Sequence, residues 1–528
     1  MKKGFLNMVL HAHLPFVRHP EYDDSFEERW LYEAITETYI PLLLAYEELI
    51  NKNVYFRVTM SLTPPLMEML ADELLQYRYI RHMENLIELI EKEKFRNRNN
   101  QDFLNTTLMY ERKFHTSLDF FQRRCKNNLI TAFKQIKDMG FLEIITCCAT
   151  HGFLPIMASH ESSVQAQISI AVNNYRKHLH SNPNGIWLAE CGYYPGADHF
   201  LRENGIKFFF ADSHALMQAQ PPPKYAIYSP ILCPDTYTAV FARDPHSSKQ
   251  VWSSHEGYPG DFDYREFYRD AGYDLDFDYI APYIHESGIR INTGVKYHKI
   301  TGKTDNKQPY NEYNALNKTK IHARHFIESR YEQCEYLSQA MDRPPVITCP
   351  YDAELYGHWW YEGPDFIKNL FEENHNLNYP LQPVTAHEYL SMYHDNPVAT
   401  PCLSSWGHNG YSEFWLNDSN DWIYMHLHKA QERMEEIAEH FIDNRDPLRE
   451  RALNQAVREL LLAQSSDWAF IIRSNTCVEY AEKRTNDHLL NFTLLYEQIL
   501  EEQINTDFLE DIEYRNNIFQ EVNFREYT

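Results

Sequence analysis

Short, nearly continuous apolar runs, each followed by a polar or histidine-bearing loop, recur along the chain at 5–10, 55–60, 142–148, 186–188, 207–211, 238–242 and 346–349. Runs of this kind suit parallel strands covered on both faces. Helical patterns lie between most of them. Ser25-Phe26-Glu27-Glu28 has the form of a capping box, and Trp30, Leu31, Ala34, Ile35, Leu42, Leu43 and Tyr46 follow at helical spacing. Strand and helix therefore alternate as in a barrel.

Three stretches depart from that alternation. Between Pro64-Pro65 and Gly140, segments 66–94 and 103–139 are charged, helix-periodic and almost free of glycine and proline, which predicts a helical insertion. The polar stretch 91–102 is expected to be the loop joining those helices. Residues 218–235, with Pro221-Pro222-Pro223, predict a rigid loop near the barrel mouth. Beyond about residue 398 strand signals stop, and helical periodicity covers 422–441, 448–472 and 478–503. The expected fold is α/β: an incomplete (β/α)7 TIM-like barrel (1–62 and 140–398) with a helical insertion (63–139) and a C-terminal α-helical domain (399–528).

Composition narrows the partners. With 75 acidic against 50 basic residues the formal charge is −25, which repels nucleic acid and anionic membranes, and no long basic run offsets it. A neutral substrate fits better, and 37 tyrosines and 9 tryptophans supply flat rings suited to sugar faces as well as to large cores. The 9 cysteines contain no CxxC pair, and only Cys147 and Cys148 are neighbours, which disfavours a disulfide framework or structural zinc. The start Met1-Lys2-Lys3-Gly4-Phe5 runs directly into the first strand, and no apolar stretch has membrane-spanning length. These features predict a cytoplasmic enzyme.

The chemistry gathers at strand ends. Gly185-Ile186-Trp187-Leu188-Ala189-Glu190-Cys191-Gly192 runs apolar to a lone carboxylate and then breaks, and Pro345-Val346-Ile347-Thr348-Cys349-Pro350 delivers Tyr351-Asp352-Ala353-Glu354 in the same way. Barrel enzymes collect function on loops after the carboxyl ends of strands. Two such carboxylates beside aromatic rings are the minimum equipment for cleaving a glycosidic bond, one attacking the anomeric carbon and one protonating the leaving oxygen. His11-Ala12-His13-Leu14-Pro15 follows the first strand, with both imidazoles sent the same way by strand alternation. That pair, with His151 after the third run, leaves three roles open: sugar contacts, metal ligands or packing. Arg243, Trp252 within Gln250-Val251-Trp252-Ser253-Ser254-His255, and Trp468 within Gln464-Ser465-Ser466-Asp467-Trp468 are further candidates, each with a structural alternative.

In order along the chain, His11-Ala12-His13-Leu14-Pro15, Gly185 to Glu190, Asp352-Ala353-Glu354-Leu355-Tyr356-Gly357-His358-Trp359-Trp360 and Gln464 to Trp468 form a motif set that resembles glycoside hydrolase family 57, in particular its 1,4-α-glucan branching and α-amylase-like members. The resemblance covers essentially the whole chain. It implies the incomplete barrel with its two helical additions, a retaining mechanism, and no metal or other cofactor. It assigns the nucleophile to Glu190 and the general acid/base to Asp352 rather than Glu354. It places His11, His13 and His151 around the sugar being cleaved, and Trp30, Arg243, Trp252, His358, Trp406, Trp415, Asp467 and Trp468 around an α-1,4-glucan such as amylose, glycogen or starch.

One departure bears on the outcome of the reaction. The loop between His214 and Arg243 looks shorter than in branching members, which carry a tyrosine at its tip; Tyr225, Tyr228 and Tyr237 are available here. The expected activity is branching, transfer of the cleaved chain to a 6-hydroxyl, with α-amylase-type hydrolysis or 4-α-glucanotransfer as alternatives on the same two carboxylates. From other classes stand a zinc-dependent polysaccharide deacetylase built on the histidines and a silent glucan-binding protein.

Overall fold

A computed structural model describes residues 3–253, 256–285 and 287–528. Its sheet contains β1 (Gly4–Ala12), β2 (Val58–Leu62), β3 (Leu142–Cys147), β4 (Gly185–Trp187), β5 (Phe208–Ala211), β6 (Ile231–Leu232), β7 (Ala239–Ala242), β8 (Val346–Asp352) and β9 (Leu381–Pro383). The order is β6-β7-β5-β4-β3-β2-β1-β8. All of these pairings are parallel except that of β6 on β7, and β9 adds in parallel to the start of β1. The seven sequence-predicted runs are the seven strands of the parallel path, and the fold is the incomplete TIM-like barrel. Among the described residues no ladder joins β7 to β8. Single hydrogen bonds bring the edges together, from the Asp244 N–H to the Thr348 carbonyl (2.9 Å) and from the Val346 N–H to the Tyr228 carbonyl (3.0 Å).

Strand alternation decides which side chains face inward. Phe5 and Val9 of β1, Ile145 and Cys147 of β3, Trp187 of β4, Phe208 and Phe210 of β5, and Ala239 and Phe241 of β7 make one buried cluster, the barrel interior. Counting on by twos, the same inward rows reach His11 and His13 after Val9, Asp212 after Phe210, and Arg243 after Phe241. The interior thus turns from apolar to polar at its carboxyl end. Gly185 opens β4 where a Cβ would lie 2.2 Å from the Phe208 ring, a close approach that only glycine tolerates.

The predicted insertion forms helices Pro64–Ala71, Glu73–Asn97, Gln101–Asp119 and Ile130–Asp138. Four local expectations are corrected. Segment 91–102 is mostly helix, because Glu73–Asn97 runs on while Glu93 pairs with Arg96, and only 98–100 turn. The capping box at Ser25 does not form: Glu28 begins the helix Glu28–Ala34 but is drawn inward, accepting from Arg78, Tyr32 and the His19 N–H. Loop 218–235 does not sit at the mouth. It descends to β6, whose turn into β7 lies at the amino end of that strand, and Gln220 and Leu232 bridge to Thr400 and Val398. Finally, the helix expected over 448–472 is two, Pro447–Ala463 and Ser466–Ser474, broken at Gln464-Ser465. The break lets Ser465 bridge to Gly152 and the Ser466 N–H donate to the His151 carbonyl (3.0 Å), docking the C-terminal helices on the loop after β3.

Candidate active site

The carboxyl-end layer of the barrel is set by register. His11 of β1 lies opposite Ser61 of β2 on one side and Asp352 of β8 on the other. The His11 ring stacks on Trp187 of β4 at 4.7 Å, and its Nδ1 lies 2.6 Å from the Ser61 hydroxyl. Just past β4 the chain turns sharply. Glu190 adopts φ 60° and Cys191 φ 52°, a left-handed conformation that costs a residue with a Cβ about 1–3 kcal/mol and persists only where the surroundings enforce it. Here the segment beyond residue 398 enforces it. Trp406 donates its backbone N–H to the Glu190 carbonyl (2.8 Å) and its indole N–H to Oε2 (2.7 Å), and Ser466 donates its hydroxyl to Oε1 (3.0 Å).

Glu190 and Asp352 come to one site with unequal surroundings. Burial pushes Glu190 up to about 7, against the lowering effect of the Trp406 and Ser466 donors and of His13. Burial and the charge of Glu190 together push Asp352 up to about 7, against the lowering effect of His13 and Arg243. No hydrogen-bond donor reaches the Asp352 side chain among the described residues, whereas two reach Glu190. Donors favour the ionised form, so when the pair holds one proton it rests on Asp352. A retaining glycosidase starts with one carboxylate ionised and its partner protonated.

Around this pair His13 stands between carboxylates. Its Nε2 is 3.0 Å from both oxygens of Asp467, and its Nδ1 is 3.1 Å from the Thr63 hydroxyl. Asp467 raises the imidazole, though burial opposes it, and is itself held down to about 2 by His13. Glu354 accepts from the His13 N–H (3.1 Å) and from the Tyr39 phenol (2.5 Å), so it braces the end of β1. His151 lies 3.7 Å ring to ring from His13 and places its Nε2 3.0 Å from Nε2 of His11.

The remaining predicted residues separate. Arg243 lies near the pair, its guanidinium 5.8 Å from the Trp406 ring centroid and bonded to Ser248 and Asp212. Trp252 ends the helix after β7 with 42% of its surface exposed; Ser254 and His255 of the same expected platform lie outside the described residues. Trp30 is half-buried, edge-on to Tyr480 at 5.8 Å. Trp415 and Trp468 are buried to 2% and 1%. Trp415 stacks on Phe153, and Trp468 donates its N–H to the Leu462 carbonyl. Neither leaves a ring face for a sugar, so these two pack the barrel against the C-terminal helices. His358 joins a separate polar group, 3.5 Å from Glu33 and 3.6 Å from Glu37.

Sequence reasoning passed over Ser61, Tyr39 and the specific role of Ser466. Register would have found Ser61, since an inward β2 residue level with His11 must meet it; Tyr39 lies on a helix with no motif. Tyr225 bonds Asp342 just before β8, the Tyr228 carbonyl bonds the first residue of β8, and Tyr237 lies in the turn before β7. All three belong to the amino ends of their strands. For a metal, donor atoms of His11, Cys147 and His151, and of His13, His151 and Asp467, come within 4.8 Å of one another. Both sets need His151, whose nitrogens already meet His11 and Ser466. Among the described residues no helix is long and apolar enough to cross a membrane.

A parallel barrel with one acid buried just past β4 and another half-buried at the end of β8 defines the class, a glycoside-cleaving barrel. The description of glycosyl hydrolase family 57 matches residues 7–333, and that of the 1,4-alpha-glucan branching enzyme C-terminal region matches 426–527. The chain belongs to glycosyl hydrolase family 57. It is 32% identical, over 98% of its length and 78% of the relative's, to the 1,4-alpha-glucan branching enzyme TK1436 of Thermococcus kodakarensis. Among solved structures it resembles the alpha-amylase AmyC from Thermotoga maritima (47% identity, TM-score 0.94, 99% of each chain). It also resembles the GH57-type branching enzyme from Pyrococcus horikoshii (30% identity, TM-score 0.89, 99% of this chain and 97% of that one).

Proposed function

We propose that this protein is a retaining 1,4-α-glucan branching enzyme. A Glu190 carboxylate oxygen attacks C1 of an α-1,4-linked glucosyl unit as Asp352 gives its proton to the departing 4-oxygen, and a β-linked glycosyl-enzyme forms. The 6-hydroxyl of a second glucan then attacks C1, Asp352 takes that hydroxyl's proton, and Glu190 leaves as carboxylate. Two inversions return the α configuration. The observation that carries this reading is the unequal hydrogen bonding of two acids raised alike to about 7: a carboxylate with two donors beside a carboxyl with none. Residues 399–528 act in this reading as a domain that completes the site, through Trp406, Ser466 and Asp467.

The test is product analysis on amylose, counting new α-1,6 linkages against new reducing ends. Branching predicts linkages well in excess of ends. Ends without linkages would reject it in favour of hydrolysis through the same intermediate. That second reading is favoured by the 47% identity to an alpha-amylase and by the placement of Tyr225, Tyr228 and Tyr237 at strand amino ends.

A further inference from the structure

We propose that Ser61, His11, His151 and Ser466 form a one-way chain of hydrogen bonds that ends on Glu190, making Ser61, two strands from the nucleophile, a positioning residue for it. This rests on the reading of Glu190 as nucleophile. The four contacts are Ser61 Oγ to His11 Nδ1 (2.6 Å), His11 Nε2 to His151 Nε2 (3.0 Å), His151 Nδ1 to Ser466 Oγ (2.8 Å) and Ser466 Oγ to Glu190 Oε1 (3.0 Å).

Once Glu190 is ionised, each link has one solution. The carboxylate is an acceptor only, so Ser466 spends its single proton on it. Ser466 Oγ must then accept from His151, which carries its proton on Nδ1. A neutral His151 has a bare Nε2, so the His11 Nε2–H donates to it. The His11 Nδ1 is bare in turn and accepts from Ser61. The tautomers are fixed in series: Nδ1–H on His151 and Nε2–H on His11.

The surroundings keep both rings neutral. His11 and His151 are 2% and 3% exposed, and burial holds both well below the usual histidine range, helped by their neighbouring imidazoles. The ring of His13, which Asp467 pushes towards the charged form, lies on His151 at 3.7 Å, so a proton on His151 would face a like charge. Neutral imidazoles thereby carry a dipole to the nucleophile without burying a second charge beside it. Their ring nitrogens are committed to one another and to serines, so these two histidines position Glu190, and His13, bonded to Asp467 and Thr63, is the one of the three whose side chain is partly exposed.

The test has two arms. Nitrogen-15 spectra of the full-length protein labelled at histidine report tautomers directly, without reference to activity. The expected result at about pH 9, where Glu190 with a pKa of about 7 is ionised, is His11 protonated at Nε2 and His151 at Nδ1, with Ser61→Ala replacing the single His11 tautomer by a mixture. His151 protonated at Nε2, or on both nitrogens, overturns the proposal. The second arm is the acid limb of the kcat/KM profile, which follows ionisation of Glu190 in the field of His13, His151, Asp467, Asp352, Cys147 and Cys191. Losing a donor makes ionisation harder, so Ser466→Ala should move that limb up by about one pH unit, and Ser466→Thr, which keeps the hydroxyl, should return it. Ser61→Ala should lower kcat severalfold with KM unchanged, and Ser61→Thr should restore it. An unmoved limb in Ser466→Ala, with the tautomers as expected, overturns the positioning role. If Glu190 is not the nucleophile, the azide experiment below fails while the tautomers stand, which separates the two failures.

Discussion

Replacing Trp406 by Phe keeps a ring beside Trp187 and beneath Arg243 but removes the indole N–H that meets Oε2 of Glu190 at 2.7 Å. A hydrogen bond to a charged group is worth about 1.5–3 kcal/mol, and one pKa unit is about 1.4 kcal/mol, so the pKa of Glu190 should rise by about 1–2 units. The sign is fixed: the donor favours the carboxylate, its loss favours the acid, and the acid limb moves to higher pH. Starting from about 7, the ionised fraction at neutrality falls from about a half to between roughly a tenth and a hundredth. The predicted loss in kcat/KM is therefore about 5- to 50-fold near pH 7 and shrinks as pH rises. Initial rates on a chromogenic maltooligosaccharide from about pH 5 to about pH 9 read both numbers. A loss of the same factor at every pH would show that Trp406 acts on the sugar and not through the carboxylate, and would refute the reasoning.

Three further outcomes follow from the same geometry. Glu190→Ala, given an activated donor and azide, should yield a glycosyl azide of β configuration and Asp352→Ala one of α configuration; the reverse pattern would exchange the two roles. Asp467→Asn should cost about 2 kcal/mol of unfolding free energy near pH 5. Its carboxyl is lowered from 3.8 to about 2, so the contribution is complete above about pH 4 and fades as pH falls towards 2. On the His13 side the imidazole is raised from 6.5, so that contribution is complete below 6.5 and fades as pH climbs through the raised value; a urea titration in which the variant and the parent lose stability alike between pH 4 and 2 would contradict the ion pair. Prolonged chelation should leave glucan cleavage intact, and a loss restored by zinc would contradict the commitment of His151 to His11 and Ser466.

The strands and their carboxyl-end acids were legible because burial on both faces leaves a continuous apolar signature that a single charge interrupts. Glu190 and Asp352 stand out for that reason, as do His11 and His13. The tryptophans were not legible as a class. A ring that binds sugar and a ring that packs two helices have the same local sequence, and only burial separates Trp468 from Trp252. Nor was the break at Gln464-Ser465, since the helical pattern continues through it; what halts the helix is tertiary, the bonds from Ser465 and Ser466 to the loop that carries His151. The Ser25 box failed for a related reason, as Arg78 offered Glu28 a stronger partner than its own helix terminus did.

Cleavage and its sequel draw on different parts of the molecule. Every group argued to act in the first step comes from a strand end or from the segment beyond residue 398 that locks Glu190, so the first step is indifferent to what attacks next. The sequel depends on whether a second glucan reaches C1 before water does. Exposed rings at Trp252, Phe262 and Tyr268 follow β7, and Trp359, stacked on Phe267 at 4.5 Å, follows β8; these are the strands that lead to Arg243 and Asp352. Flat faces there can hold a glucan chain at about 0.5–1.5 kcal/mol per stacked ring on the scale of aromatic contacts. If they hold the acceptor, Trp359→Ala and Trp252→Ala should lower new α-1,6 linkages severalfold while total cleavage of amylose, counted as linkages plus reducing ends, changes little. Equal falls in both products would place these rings on the donor side instead. The ratio, not the rate, is the quantity that separates a branching enzyme from an amylase sharing one covalent intermediate.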